Sequence, residues 1–159
     1  MNLAVRGVYQ LLFPLLCLCA APFWLLKMAR RGGWDRRLWQ RLGIFGTPEE
    51  FEPCGVVCVH AVSVGEVMMA LRLVEEWLEH DPEERFVIAA TTSTGFQLAD
   101  QRAPKGVRVI YSPVDLSFVL RRTFRRFEPA LIVLIDSELW PGLLDLADRK
   151  GIRVRCDCP

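Results

Sequence analysis

Five short apolar runs recur after residue 55, and segments with helical spacing of apolar residues separate them. Runs of three to five apolar residues between turn residues are typical of buried strands. The predicted strands are 56–59, 86–90, 107–111, 131–135 and 152–154, and the predicted helices are 67–79, 96–102, 116–127 and 143–150. This βαβαβαβαβ order predicts an α/β fold, with a parallel sheet covered by helices on both faces and joined by right-handed crossovers.

A nearly uninterrupted apolar run, residues 8–26, precedes this pattern. Its nineteen residues just suffice to cross a bilayer core as a helix, although Gln10, Pro14 and Pro22 weaken the signal. The run therefore predicts an N-terminal membrane-anchor helix, with a spanning helix favoured over one that lies flat. A signal peptide is the competing interpretation, but only Arg6 precedes the run and no clear small-x-small cleavage site follows it.

The net charge of +1 conceals a basic cluster directly after the apolar run. Its members are Lys27, Arg30, Arg31, Arg36, Arg37 and Arg41. We expect this flank to stay on the cytoplasmic side of a membrane. Apolar residues recur among these arginines at helical spacing, namely Trp34, Leu38, Leu42 and Phe45. Such a helix lies in anionic headgroups or packs on the domain, and both interpretations place the globular part against the inner surface of a membrane.

Together these segments predict a division into a membrane anchor with a basic amphipathic segment, residues 1–46, and a globular domain, residues 47–159. The location predicted for the protein is the inner (cytoplasmic) membrane, with the globular part facing the cytoplasm. Because the basic charge is confined to one stretch, nucleic acid is disfavoured as a partner.

The six cysteines form no Cys-x-x-Cys pair, which argues against both a disulfide framework and a zinc site. Cys156 and Cys158 have no further ligands nearby, so they make a poor metal site. No Gly-x-Gly-x-x-Gly follows the first predicted strand, which disfavours an NAD enzyme. We expect neither a metal nor a cofactor.

Candidate chemistry lies just after the predicted strands, where ligands of open parallel sheets bind. The first strand leads through Ser63-Val-Gly65 to Glu66, the second to Thr91-Thr-Ser-Thr-Gly95, and the fourth to Asp136 and Glu138. Backbone N–H groups at the threonine-rich turn are suited to hold a phosphate or another anion. Structural alternatives exist, because Ser and Thr commonly cap helices and the helix dipole favours a glutamate in the first turn, such as Glu66. For His60, at the end of the first strand, a satisfied core histidine is favoured over a catalytic one.

Asp136 and Glu138 favour a site at this edge, because gathered acidic groups repel unless a substrate or cation uses them. Trp140 and Pro141, which follow them, have an ordinary interpretation as a packing residue and the first residue of a helix.

With these residues in view, the chain resembles the N-terminal half of the 3-deoxy-D-manno-octulosonic acid (Kdo) transferases, membrane-anchored glycosyltransferases of lipid A assembly. The resemblance extends from the anchor to about Val154 and rests on four motifs in order. They are His60-Ala-Val-Ser-Val-Gly-Glu66, Thr91-Thr-Ser-Thr-Gly95, Tyr111-Ser-Pro-Val-Asp-Leu116 and Asp136-Ser-Glu-Leu-Trp-Pro141. It implies a GT-B fold, in which this Rossmann-like domain binds the lipid A precursor and a second domain binds the donor, CMP-Kdo.

The resemblance also implies roles for individual residues. Glu66 matches the proposed general base, and Glu138 matches a second important acidic position. The candidate substrate-binding residues within the motifs are Ser63, Gly65, Thr92, Thr94, Gly95 and Asp136. The family usually has Glu where this chain has Asp136. The implied reaction is a single displacement that inverts the anomeric carbon of Kdo without a metal.

The sequence departs from the family after Ile152. The family continues into an Asn-Ala-Arg-containing segment and a donor-binding domain, whereas this chain reads Arg153-Val-Arg-Cys-Asp-Cys-Pro159. We therefore expect a truncated or frame-shifted chain that is inactive alone, since catalysis needs both reactants held in place. The alternatives are a non-catalytic membrane-bound module and a GT-B enzyme that uses another nucleotide sugar.

Overall fold

The computed structural model describes residues 36–46, 55–135 and 140–157, together with Tyr9, Leu12, Cys19 and Pro22. By their contacts, the residues of the chain form two compact units, Met1–Leu38 and Trp39–Pro159. The predicted division at residue 46 stays a prediction.

Little of the predicted anchor belongs to the described part of the chain. Tyr9, Leu12, Cys19 and Pro22 are helical, and the rest of residues 8–26 lies outside it. Among the described residues, no helix is both long and apolar enough to cross a membrane. The anchor helix is therefore not confirmed and remains a prediction.

The second unit alternates strands and helices as the apolar pattern predicts. Its strands are β1 Val57–Ala61, β2 Phe86–Ala90, β3 Arg108–Tyr111, β4 Leu131–Ile135 and β5 Arg153–Asp157. Its α-helices are α1 Val64–His80, α2 Ser93–Arg102, α3 Ser117–Phe127 and α4 Pro141–Lys150. The predicted α/β alternation is confirmed, with boundaries that differ by a few residues.

All four strand pairings are parallel, and the sheet order is β3-β2-β1-β4-β5. This is the order of a Rossmann-like sheet, in which the connections reverse direction at the central strand β1. The carboxyl ends of the strands share one edge, which we call the C-terminal rim. Its described parts are residues 62–66, 91–95 and 112–116. Ligands of such sheets bind at this rim beside the switch between β1 and β4.

Buried apolar side chains fill both faces of the sheet. Every residue of β2 is buried, as expected for a central strand covered on two sides. Helices α1 and α2 pack together, as do α3 and α4, which agrees with right-handed crossovers to opposite faces. Leu120 and Phe124 of α3 share one apolar cluster with Ile132 and Leu143.

Residues 39–46 belong to this unit and pack against its strands and helices. The 3-10 helix Arg36–Leu42 ends in a turn at Gly43, whose φ is +68°. Gln40 is buried, and its Oε1 accepts a 3.0 Å hydrogen bond from the backbone N–H of Tyr111. The Phe45 ring meets Phe127 edge-on at a centroid distance of 4.9 Å. Of the two interpretations of this stretch given above, these contacts support the helix packed on the domain. The helix is a 3-10 helix.

Candidate functional site at the C-terminal rim

Glu66 lies at the rim in the first turn of α1, where the sequence predicts it. Its Oε2 accepts a hydrogen bond from the N–H of Val62 at 2.7 Å, and its Oε1 accepts one from the N–H of Ser63 at 3.1 Å. The Ser63 hydroxyl accepts in return from the N–H of Glu66 at 3.2 Å, which completes a capping box. Each carboxylate oxygen keeps a further lone pair. The half-buried side chain is thus oriented by the backbone and can still accept a proton.

The threonine-rich loop has a capping role of the same kind. Thr92 is the N-cap of α2, and its hydroxyl accepts a 3.1 Å hydrogen bond from the N–H of Gly95. A Cβ on Gly95 would lie 2.8 Å from that hydroxyl oxygen and 3.8 Å from the carbonyl oxygen of Ser63. The structure therefore brings the two predicted loops together, and the close approach of the Thr92 hydroxyl favours glycine at position 95. Thr94 is exposed beside this contact, as Ser63 and Gly65 are in the neighbouring loop.

Arg41 joins the rim although the sequence assigned it to the basic membrane flank. Its Nη2 donates to the carbonyl oxygen of Thr91, and its guanidinium carbon lies 4.9 Å from the centroid of the Tyr111 ring. Tyr111 stacks in turn on Phe96 of α2 at 4.0 Å. Burial lowers the pKa of Arg41 from its ordinary value, yet a guanidinium remains charged at neutral pH. These contacts favour the second interpretation of this stretch, a helix packed on the domain, because the partners of Arg41 lie at the end of the sheet.

His60 is a core residue, as the sequence favoured. It is 5% exposed, and its Nε2 forms a 2.5 Å hydrogen bond with the hydroxyl of Ser112. Burial lowers its pKa to about 4, against the opposing charge of Glu66. The imidazole is therefore neutral at pH 7. Its ring lies 5.8 Å from that of Trp140, whose buried Nε1 has no hydrogen-bond partner among the residues that the structure describes.

Asp115 anchors the start of α4. Its buried carboxylate accepts hydrogen bonds from the N–H groups of Gly142 at 2.8 Å and Leu143 at 2.7 Å. These N–H groups belong to the first turn, where a helix favours negative charge. Asp115 thereby holds in place the helix that follows the Asp136 to Pro141 motif.

Asp136 and Glu138 lie outside the described residues, and their roles stay predictions. The strand that precedes them in the chain, β4, is hydrogen-bonded to β1 and ends at Ile135. Within the described part of the chain, no three His, Cys, Asp or Glu side chains are grouped so as to hold a metal.

Comparison with known proteins decides the family. The model of the 3-deoxy-D-manno-octulosonic-acid transferase (kdotransferase) family matches residues 36–156. The chain belongs to this family. The Kdo transferase resemblance drawn from the four motifs is thus confirmed, and the chain corresponds to the N-terminal domain.

Curated relatives agree with the Kdo transferase assignment. The 3-deoxy-D-manno-octulosonic acid transferase of Chlamydia pneumoniae is 28% identical over 152 residues, which cover 92% of this chain and 35% of the relative. That of Haemophilus influenzae is 32% identical over 109 residues, 69% of this chain and 25% of the relative. That of Rickettsia bellii is 33% identical over 95 residues, which cover 60% of this chain and 23% of the relative. The chain spans about a quarter to a third of the length of these relatives.

The site residues of this Kdo transferase domain fall into two groups, those whose partners are close in the sequence and those whose partners are distant. Ser63 with Glu66, and Thr92 with Gly95, pair within three residues, so a sequence motif displays them. Arg41 contacts a residue fifty positions away. No local pattern could have revealed that contact.

Proposed function

We propose that this chain is the acceptor-binding part of a GT-B glycosyltransferase that moves Kdo from CMP-Kdo to a lipid A precursor in lipopolysaccharide biosynthesis. The observation that carries the proposal is Glu66, which matches the family's proposed general base and stands at the rim directly after the central strand β1. We assign the binding of CMP-Kdo to the part of the relatives that this chain does not span.

In the proposed reaction, a hydroxyl oxygen of the acceptor attacks the anomeric carbon of Kdo. The bond from that carbon to the phosphate oxygen of CMP breaks, and CMP leaves with the electron pair. The proton of the attacking hydroxyl passes to Glu66, and the anomeric carbon inverts in a single displacement without a metal. Backbone donors at Val62 and Ser63 hold the carboxylate in one orientation, which supports this role.

Charge around the threonine-rich loop supports an anionic acceptor. The guanidinium of Arg41 is bonded to the carbonyl of Thr91, next to the N-terminus of α2. A cation and a helix N-terminus at one loop both favour a bound anion such as a phosphate. We propose that Thr92, Thr94 and Gly95 form the acceptor-binding part of this loop.

Four further parts of the proposal come from the sequence. Ser63 and Gly65 flank the acceptor, Asp136 contributes to its binding, and Glu138 supports Glu66. The protein is held at the inner membrane with the globular part facing the cytoplasm, because its acceptor is a lipid of that membrane.

The experiment joins this chain to the remaining part of the Haemophilus influenzae relative and measures Kdo transfer from CMP-Kdo to a lipid A precursor. Glu66→Gln keeps a side chain that can serve in a capping box but cannot accept the proton. We expect it to lower kcat by about 10²–10⁴-fold, the usual contribution of a general base. Glu75→Gln, an exposed change on the same helix, is the matched control and should leave kcat unchanged.

Three outcomes would contradict the proposal. Retained transfer by Glu66→Gln would remove Glu66 from the mechanism. Transfer from a UDP-sugar in place of CMP-Kdo would make the protein another kind of GT-B enzyme, and the absence of transfer from every donor by the folded fusion would favour a non-catalytic module.

A further inference from the structure

Helix α3 is strongly basic on its exposed side. It contains Arg121, Arg122, Arg125 and Arg126 and no acidic residue. Arg121, Arg122 and Arg125 are exposed, and none of the residues that the structure describes forms an ion pair with them. Arg121 and Arg125 are four residues apart, a spacing at which like charges repel on a helix. The helix therefore presents positive charge that an anionic partner would neutralise.

Exposed apolar side chains adjoin these arginines. Phe118, one turn before Arg122, is 58% exposed. The turn after the 3-10 helix packs on α3, because a Cβ on Gly43 would lie 3.0 Å from the Cβ of Arg122. Three residues of the 3-10 helix and the turn after it are also exposed, namely Trp39 at 60%, Ile44 at 48% and Leu42 at 37%. We call this combined region the α3 surface.

The α3 surface includes a hollow suited to a phosphate group. Its volume is about 300 Å³, and it is lined by Gly43, Phe45, Arg122, Arg125 and Arg126. Guanidinium groups bind phosphate oxygens through charge-assisted hydrogen bonds. The ring of Phe45 supplies an apolar wall beside them.

We propose that the α3 surface docks on anionic phospholipid headgroups. Arginines beside Trp, Phe, Leu and Ile are the composition with which peripheral proteins bind a charged bilayer surface. The arginines engage the lipid phosphates, while Trp39 and Phe118 enter the headgroup layer. Nucleic acid would match the arginines but would leave the aliphatic side chains of Leu42 and Ile44 without a role. The lipid bilayer matches both.

The residues of this docking surface belong neither to the proposed anchor, residues 8–26, nor to the proposed catalytic residues. The docking proposal can therefore be supported or refuted independently of the proposed catalytic function. The surface gives the globular unit its own contact with the membrane.

The test compares partitioning of the full chain into two kinds of vesicle, one of phosphatidylcholine alone and one of equal parts phosphatidylcholine and phosphatidylglycerol. The ratio of the two partition coefficients cancels any contribution that is the same in both vesicles, including apolar insertion of the anchor. The triple variant R121Q/R122Q/R125Q should lower the ratio about 100-fold, at about fivefold for each arginine. The matched control R72Q/K105Q/R108Q removes the same charge from exposed positions elsewhere and should change the ratio by less than about fivefold.

Hydrogen exchange of residues 117–127 provides a second measurement that does not require the chain to dissociate. Exchange should be slower on the anionic vesicles than on the neutral ones, and this difference should vanish in the triple variant. Circular dichroism checks that both triple variants fold. An unchanged ratio in the triple variant, or equal losses in both, would overturn the proposal. The proposal would also be overturned if the parent chain bound polyuridylic acid and the triple variant lost that binding but kept its binding to vesicles. That result would identify RNA as the partner.

Discussion

Replacing Gly142 with alanine tests how the loop after β3 holds α4. A Cβ at this position would lie 2.5 Å from Oδ1 and 2.9 Å from Cγ of Asp115. No pair of heavy atoms packs so closely without a bond or hydrogen bond, so the Asp115 carboxylate must move. That movement breaks its hydrogen bonds of 2.8 and 2.7 Å to the N–H groups of Gly142 and Leu143.

The expected cost follows from these two bonds. A hydrogen bond to a charged group stabilises a fold by about 1.5–3 kcal/mol, and Asp115 is 1% exposed, so water cannot replace its donors without rearrangement. The higher helix propensity of alanine relative to glycine offsets about 1 kcal/mol of the cost of losing the two hydrogen bonds. The free energy of unfolding should therefore fall by about 2–5 kcal/mol, a large share of the about 5–15 kcal/mol typical of a domain.

Urea unfolding followed by circular dichroism measures this change. For m-values of about 1–2 kcal/mol/M, even the smallest expected loss lowers the midpoint by about 1 M. Gly46→Ala is the matched control, since a Cβ there meets no atom within 4 Å, and it should leave the midpoint unchanged. A Gly142→Ala protein with an unfolding free energy within about 0.5 kcal/mol of the parent would refute the close approach to Asp115.

Two further predictions concern the rim. Because the pKa of His60 is about 4 in the folded chain and 6.5 in the unfolded one, the unfolded state binds the proton first as pH falls. Stability should be complete above pH 6.5 and decline by about 3 kcal/mol towards pH 4, and His60→Gln should flatten this decline in urea titrations. An equally steep decline in the variant would exclude His60 as the cause. Arg41→Gln removes the bond to Thr91 and the contact with Tyr111, and should cost about 2 kcal/mol and speed hydrogen exchange in residues 91–96. Unchanged exchange there would show that Arg41 does not hold the loop.

The strand and helix order could be predicted because a parallel sheet covered on both faces requires continuous apolar strands. β2 shows this directly, since all five of its residues are buried. Glu66 could be placed for a related reason. A residue that follows a parallel strand at a helix start lies at the carboxyl edge, whatever the rest of the fold contributes.

Local spacing also revealed the caps. The Ser63 and Glu66 pair and the Thr92 and Gly95 pair close over three residues, so their geometry depends on the helix turn alone. The sequence could not decide between a capping and a catalytic role for Glu66, because one carboxylate can serve in both.

The sequence by itself thus determined the alternation of elements, the family motifs and the position of Glu66, all of which depend on residues close in the chain. Only the tertiary structure decided that Arg41 turns to the sheet, that Gln40 bonds to Tyr111 and that Asp115 holds α4. Those contacts span 50, 71 and 27 residues. Which distant groups meet depends on how the strands order themselves in the sheet, and no local pattern of apolar and polar residues encodes that pairing.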